Sequence, residues 1–175
     1  MAIQAFIGQI TEKAAGALGT QAYTGVGFQP QVLLLFGVGG TADGSAVHFL
    51  MGFGAGLSSA SRFAISTISL DAAATSDAEN VNDNDKIWSL TNEAGTIIQE
   101  MDLTSLDTDG FTLDYTVNVA TDNLLDYIAL RGTGNDLTNR AIKEFQAPAG
   151  TGQQSYTGVG FRPDVLIFFT SGPVA

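Results

Sequence analysis

The chain has 175 residues, the length of one ordinary domain or of one domain plus part of another. Its 18 acids and 7 bases give a net charge of −11, which argues against nucleic acid and against anionic membrane surfaces, since both recruit clustered Lys and Arg. Charged residues make up only 14% of the chain against about 25% in typical globular proteins, 45% apolar residues with 11 Phe exclude wholesale disorder, and the absence of Cys excludes disulfides and thiolate metal sites.

No secretory signal is expected at the N-terminus. The first charges, Glu12 and Lys13, follow the apolar residues, whereas a signal puts positive charge ahead of them. Val32 to Gly40, the longest uninterrupted apolar-plus-Gly stretch, is about half a membrane span. Ala2 to Ile7 reads as a strand, with a short helical turn around Thr11 to Leu18. In Tyr23-Thr24-Gly25-Val26-Gly27-Phe28-Gln29-Pro30 the glycines allow positive φ, and Pro30 fixes the approach to the next strand. Val32 to Phe36 is then a continuous apolar run, consistent with a strand buried on both faces. Val47 to Phe53 is a further strand whose end is weakened by Gly52, Gly54 and Gly56. Arg62 to Leu70 reads as a strand with a bulge, because its apolar phase shifts between Ile65 and Ile68.

The densest acidic stretch, Asp77, Glu79, Asp83 and Asp85 with Asn80, Asn82 and Asn84 between them, reads as a solvated loop. It invites a calcium hypothesis, but its spacing fits no EF-hand. Lys86 to Thr91 and Gly95 to Leu103 are strands joined by the turn Asn92 to Gly95. Phe111, Leu113, Tyr115, Val117 and Val119 alternate with polar residues, the clearest period-2 pattern in the chain, and Asp109-Gly110 marks the turn before them. Leu124 to Arg131 is the next strand, expected to pair with its predecessor as a hairpin through Ala120 to Asn123. Seven or eight short strands punctuated by turns make an antiparallel β-sandwich, an all-β fold.

Self-comparison adds the domain organisation. The run from Tyr23 to Phe36 returns 133 positions later, from Tyr156 to Phe169, with six identical residues at its start. Tyr23, Gly25, Gly27, Phe28 and Pro30 thus match Tyr156, Gly158, Gly160, Phe161 and Pro163, and the motif reads as structural. Ala2 to Phe6 has a weaker echo in Ala141 to Phe145. The period is that of a domain, which predicts one complete unit over 1–132, a linker over 133–140 and the first strands of a second unit over 141–175. Either the chain is part of a longer tandem protein, the plainer reading, or its tail is a strand donated to another subunit.

Candidate chemistry is sparse. His48, the only histidine, sits among apolar neighbours and reads first as a structural residue. Asp107 and Asp109 are spaced as turn formers rather than as an acid–base pair. Trp88 is the one aromatic that could serve as a platform for a sugar, with core packing as its plainer role. No catalytic set, cofactor or resident metal is expected, so the chain reads as non-enzymatic.

Gly25-Val26-Gly27-Phe28-Gln29-Pro30, Asp109-Gly110-Phe111-Thr112-Leu113 and Tyr127-Ile128-Ala129-Leu130-Arg131-Gly132 resemble, in order and spacing, a repeat found in virion structural proteins of tailed bacteriophages. More distantly, the Phe-x-Pro-x-Val start and the Gly-Phe-Thr-Leu to Tyr-Ile-Ala ending are similar to the jelly-roll-like H-type lectin sandwich. The first resemblance implies a virion structural protein on head or tail that acts by subunit assembly, with other virion subunits as partners. The second implies a homo-oligomer, a trimer among the forms expected, and a glycan-binding module for host attachment. Neither implies nucleic acid or a membrane as partner.

Overall fold

The computed structural model describes residues 2–38, 49–70, 78–119, 124–134, 136–146 and 148–170. Ten strands run through them: β1 Ile3–Ile10, β2 Gly19–Thr24, β3 Val32–Val38, β4 Phe49–Ser58, β5 Ser61–Ser69, β6 Ala78–Asp83, β7 Trp88–Thr91, β8 Ile97–Asp107, β9 Gly110–Asn118 and β10 Leu125–Gly132. They form two antiparallel sheets, one of six strands in the order β1-β10-β3-β4-β5-β6 and one of four in the order β2-β9-β8-β7. The fold is an all-β sandwich. Among the described residues no helix is long and apolar enough to cross a membrane.

The core lies between the sheets. Leu33 and Leu35 of β3 and Leu125, Tyr127 and Ala129 of β10 face Met101, Leu103, Phe111, Leu113 and Tyr115 from β8 and β9. Gly52, Gly54 and Gly56 do not end β4. They sit on its inner face, where a Cβ at Gly54 would lie 1.7 Å from the Ile87 carbonyl oxygen and one at Gly56 would lie 2.6 Å from Leu103 Cδ2. The glycines let the two sheets approach closely, and side chains from the facing sheet fill the space.

Several expectations are corrected by the topology. β9 and β10 do not form a hairpin: β9 pairs with β2 and β8, while β10 crosses to the other sheet and lies between β1 and β3. Apolar residues at alternate positions on both faces of β10 suit that central place better than an edge beside β9. The alternation in β9 also slips. Tyr115 pairs with Met101 and Val117 with Glu100, leaving Thr116 as an extra residue, so Asn118 turns inward and Val119 is exposed. β5, by contrast, keeps an unbroken register with β4 from Arg62 to Ser69, and the shift lies at Gly56 to Ser58 beside the turn. Its apparent change of phase arises because Phe63 and Ile65 point outward while Ala64, Ser66 and Ile68 point inward.

The stretch 78–83 is the edge strand β6 rather than a loop, with polar residues on both sides that discourage pairing with a further strand. Residues 11–18 hold a turn at Ala15 and Gly16 instead of a helical turn.

The outward faces of the sheets differ in kind. On the four-stranded sheet Thr20, Asp114 and Asp102 fall in one cross-strand row. On the six-stranded sheet one row is apolar across five strands, Ile7, Ile128, Leu34, Ala55 and Phe63, and the row beside it carries Phe36, Phe53 and Ile65 on β3 to β5 but Gln9 and Asp126 on β1 and β10.

Past Gly132 the described residues form no strand. The second copy of the motif nevertheless keeps its loop geometry, with φ of 89° at Gly158 and 80° at Gly160 against 91° at Gly25 and 81° at Gly27. Phe145 and Tyr156 stack on each other at 3.9 Å, whereas in the first unit Phe6 stacks on Tyr127 and Tyr23 on Phe111. Phe169 lies flat on Phe53 of the chain's own sheet, with ring centroids 3.5 Å apart. That contact joins side chains and involves no strand ladder, so nothing in it favours a donated strand.

Candidate functional site

The repeated motif forms a clasp. Gly25 and Gly27, both at positive φ, aim their amides at one carboxylate: Asp109 Oδ2 accepts from Gly25 N at 3.1 Å and Asp109 Oδ1 from Gly27 N at 2.5 Å. The Val26 amide donates to the Asp109 carbonyl at 3.3 Å. Gly110 passes so close to β2 that a Cβ there would lie 1.8 Å from the Tyr23 carbonyl oxygen. Two of the sequence's motifs, residues 25–30 and 109–113, are therefore the two halves of one structural contact. Phe28 and Pro30 are buried behind it. In the second copy Gly158, Gly160 and Phe161 recur, and among the described residues no second β8–β9 turn faces them. Asp107 serves the same turn, accepting from the Ser105 and Thr112 hydroxyls at 2.7 Å each.

Trp88 is 1% exposed, with its indole edge over the positions where Gly37 and Gly52 would carry a Cβ. Its Nε1 donates to Gln99 Oε1 at 2.7 Å, and Gln99 Nε2 donates to Glu12 Oε2 at 2.9 Å. Neither ring face is open to a sugar, which corrects the platform reading. The large ring fills the space that the glycines of β4 leave. Close by, the Tyr23 and Tyr115 hydroxyls are 2.6 Å apart. Burial pushes Tyr115 up to about 12 and Tyr23 still higher, since the phenolate would be poorly solvated and close to Glu12. Sequence reading missed this network: Gln99, Glu12 and Tyr115 lie on different strands or loops, and no spacing announces their meeting.

The described residues of the acidic stretch, Glu79, Asp83 and Asp85, do not converge. Asp85 pairs with Arg62, whose Nη2 also reaches Asp102 Oδ1 at 3.0 Å, and Lys86 Nζ lies 3.3 Å from Asp102 Oδ2. These contacts tie β5 to β8 across the sandwich edge. Asp83 accepts from the Asp85 amide, and Glu79 lies further along β6. Among the described residues no three acidic or histidine side chains gather as metal ligands. Asp77 and His48 lie outside the described residues.

One open cleft of about 550 Å³ lies at the end of the sandwich where the clasp meets the end of β10. Gln29, Gln31, Arg131 and Arg140 line it over Leu57 and Leu106. Gln29 is held by the Leu106 carbonyl and Gln31 by the Gly132 amide. Neither arginine forms an ion pair among the described residues, and Arg140 Nε is buried without a hydrogen-bond partner there. In a chain of charge −11 this is a local concentration of donors.

No family model, curated protein or solved structure matches the chain.

Proposed function

We propose that the protein is a non-enzymatic structural protein of a tailed-bacteriophage virion, working on the head or tail surface by assembly with other subunits. The observation that carries the reading is the contrast between the two outward faces of the sandwich. A polar face suits water, whereas a broad apolar one suits another protein, and the sequence resemblance supplies the virion context. The low share of charged residues, 14%, agrees with this, because the cores of subunit contacts are depleted in charged residues. The test is proteomic and visual: particles purified on a density gradient should contain the chain in many copies, and antibody against it should decorate them. Its absence from particles whose lysate contains it would overturn the reading.

The second reading, a glycan-binding module for host attachment, draws on the cleft at Gln29, Gln31, Arg131 and Arg140. Arginine and amide donors above an apolar floor suit an acidic or hydroxyl-rich sugar. A glycan array favours it if acidic glycans bind and binding is lost on Arg131→Ala.

A further inference from the structure

We propose that the outer face of the six-stranded sheet is the contact between two copies of this chain, packed face to face about a two-fold axis. This builds on the assembly reading above and names its surface and its partner.

The apolar residues of this face are contiguous, and its one charged residue among the rows from Ile7 to Ile65 is Asp126, which accepts from Gln9 at the β1–β10 side. The row from Ile7 to Phe63 crosses five strands, roughly 19 Å at ordinary strand spacing, and the rows from Val32 to Val38 climb about 20 Å along the strands. That is on the order of 400 Å² in flat projection, as large as the largest apolar patch of a typical monomer. In projection it is about half of the roughly 800 Å² of accessible surface that each partner gives to a standard interface, the size of a weak, reversible contact. The chain's own tail covers only part of it: Phe169 shields Phe53 and Phe63, while Ile7 stays 72%, Val38 65% and Met51 48% exposed.

The repeat identifies the occupant. Phe169 stands in the second copy of the motif where Phe36 stands in the first. Phe36 belongs to this outer face and is the cross-strand partner of Phe53. The ring seated on Phe53 is therefore the counterpart of an outer-face residue, so the contact reproduces how one unit's outer face meets another's. Val165 and Ile167 repeat the outward Val32 and Leu34 in the same way, and both are exposed. A face recognised by its own motif is self-complementary, which is the requirement for an isologous pair.

Sedimentation equilibrium of the full chain from about 1 to about 100 µM should show a monomer–dimer equilibrium. Ile7→Glu and Met51→Glu each put an unpaired charge into the apolar contact and should raise its dissociation constant about 100-fold. At concentrations low enough for the chain to be monomeric the unfolding midpoint should not move, since both side chains are exposed. A monomer throughout the range, a trimer, or a dimer indifferent to both substitutions would overturn the proposal. Should a glutamate variant fail to fold, thiol cross-linking decides, because the chain has no Cys of its own. Met51→Cys should be captured as a covalent dimer by a bifunctional thiol reagent long enough to span the face, while Thr20→Cys, on the polar face, should not, and equal capture at both would overturn the pairing. A monomer that is nonetheless found in particles removes this interface and leaves the assembly reading standing. A dimer absent from particles does the reverse.

Discussion

The Asp109 carboxylate accepts the amide of Gly27 at 2.5 Å and thereby ties two segments of the chain 82 positions apart. A carboxylate that accepts two backbone amides contributes charge-assisted hydrogen bonds, each worth about 1.5–3 kcal/mol. Asp109→Ala is expected to lower the free energy of unfolding by about 2–4 kcal/mol, with Asp109→Asn costing less because it keeps an acceptor. Urea titration of the three proteins checks this, and equal midpoints would show that the clasp contributes nothing to stability.

Gly54 tests how closely the sheets approach. Its missing Cβ would overlap the Ile87 carbonyl, a backbone atom that cannot rotate away. Gly54→Ala should therefore destabilise by about 3 kcal/mol or more, or abolish folding, as overpacked cores do. Gly150→Ala, where nothing lies within 4 Å, should be neutral. Thermal unfolding of the pair separates steric exclusion from the general cost of replacing a glycine.

Trp88 is the chain's only tryptophan, so its emission reports one place. Buried beside Gln99, it should emit at short wavelength in the native protein and shift to the red on unfolding. Added sugars should leave the emission unchanged. Trp88→Ala should cost about 3–5 kcal/mol from the cavity alone, and Gln99→Leu about 1–3 kcal/mol by stranding the indole N–H. Quenching by an added glycan would contradict the packing role.

The Tyr23–Tyr115 pair makes a prediction about pH. Both phenols titrate higher in the folded protein than the usual 10, so the folded state holds protons that the unfolded state has released. Their contribution is full below about pH 10 and is lost as pH rises towards and past 12. At pH 11 the loss should be on the order of 1 kcal/mol per phenol relative to pH 8. Tyr115→Phe should flatten the alkaline limb of a urea stability–pH profile, and an unchanged slope would show that the pair does not couple to folding.

Local signals in the sequence were good guides wherever one residue's chemistry decides the structure. Asn92 to Gly95 is a turn because Gly95 takes φ of 71° and the Asn92 side chain accepts the amides of Ala94 and Thr96. The repeat was legible for the same reason, its glycines taking the same φ with or without the surrounding domain. Assignment of strands to sheets was not legible. Nothing near residues 120–123 reveals that β10 leaves β9, because the cause is a distant pairing with β1 and β3. The apparent bulge in β5 misled because alternation was read as one buried face, when both faces of that sheet are apolar. Asn118, placed inside where Val117 was expected, answers the carbonyls of Lys13, Ala14 and Ala17, which no periodicity encodes.

The antiparallel pairing of β1 with β10 sets Ile3 opposite Gly132, and the Thr133 amide donates to the Ala2 carbonyl. The unit thus receives and releases the chain at a single corner. Tension along a longer chain would act across that corner and peel β1 from β10 one pair after another, from Ile3–Gly132 inward to Ile10–Leu125. A ladder loaded in this direction yields at low force, because its bonds break in turn rather than together. Strung in series, such units would lengthen under load and close again when released. Mechanical resistance would then have to come from lateral packing of the sheets rather than from the thread of the chain.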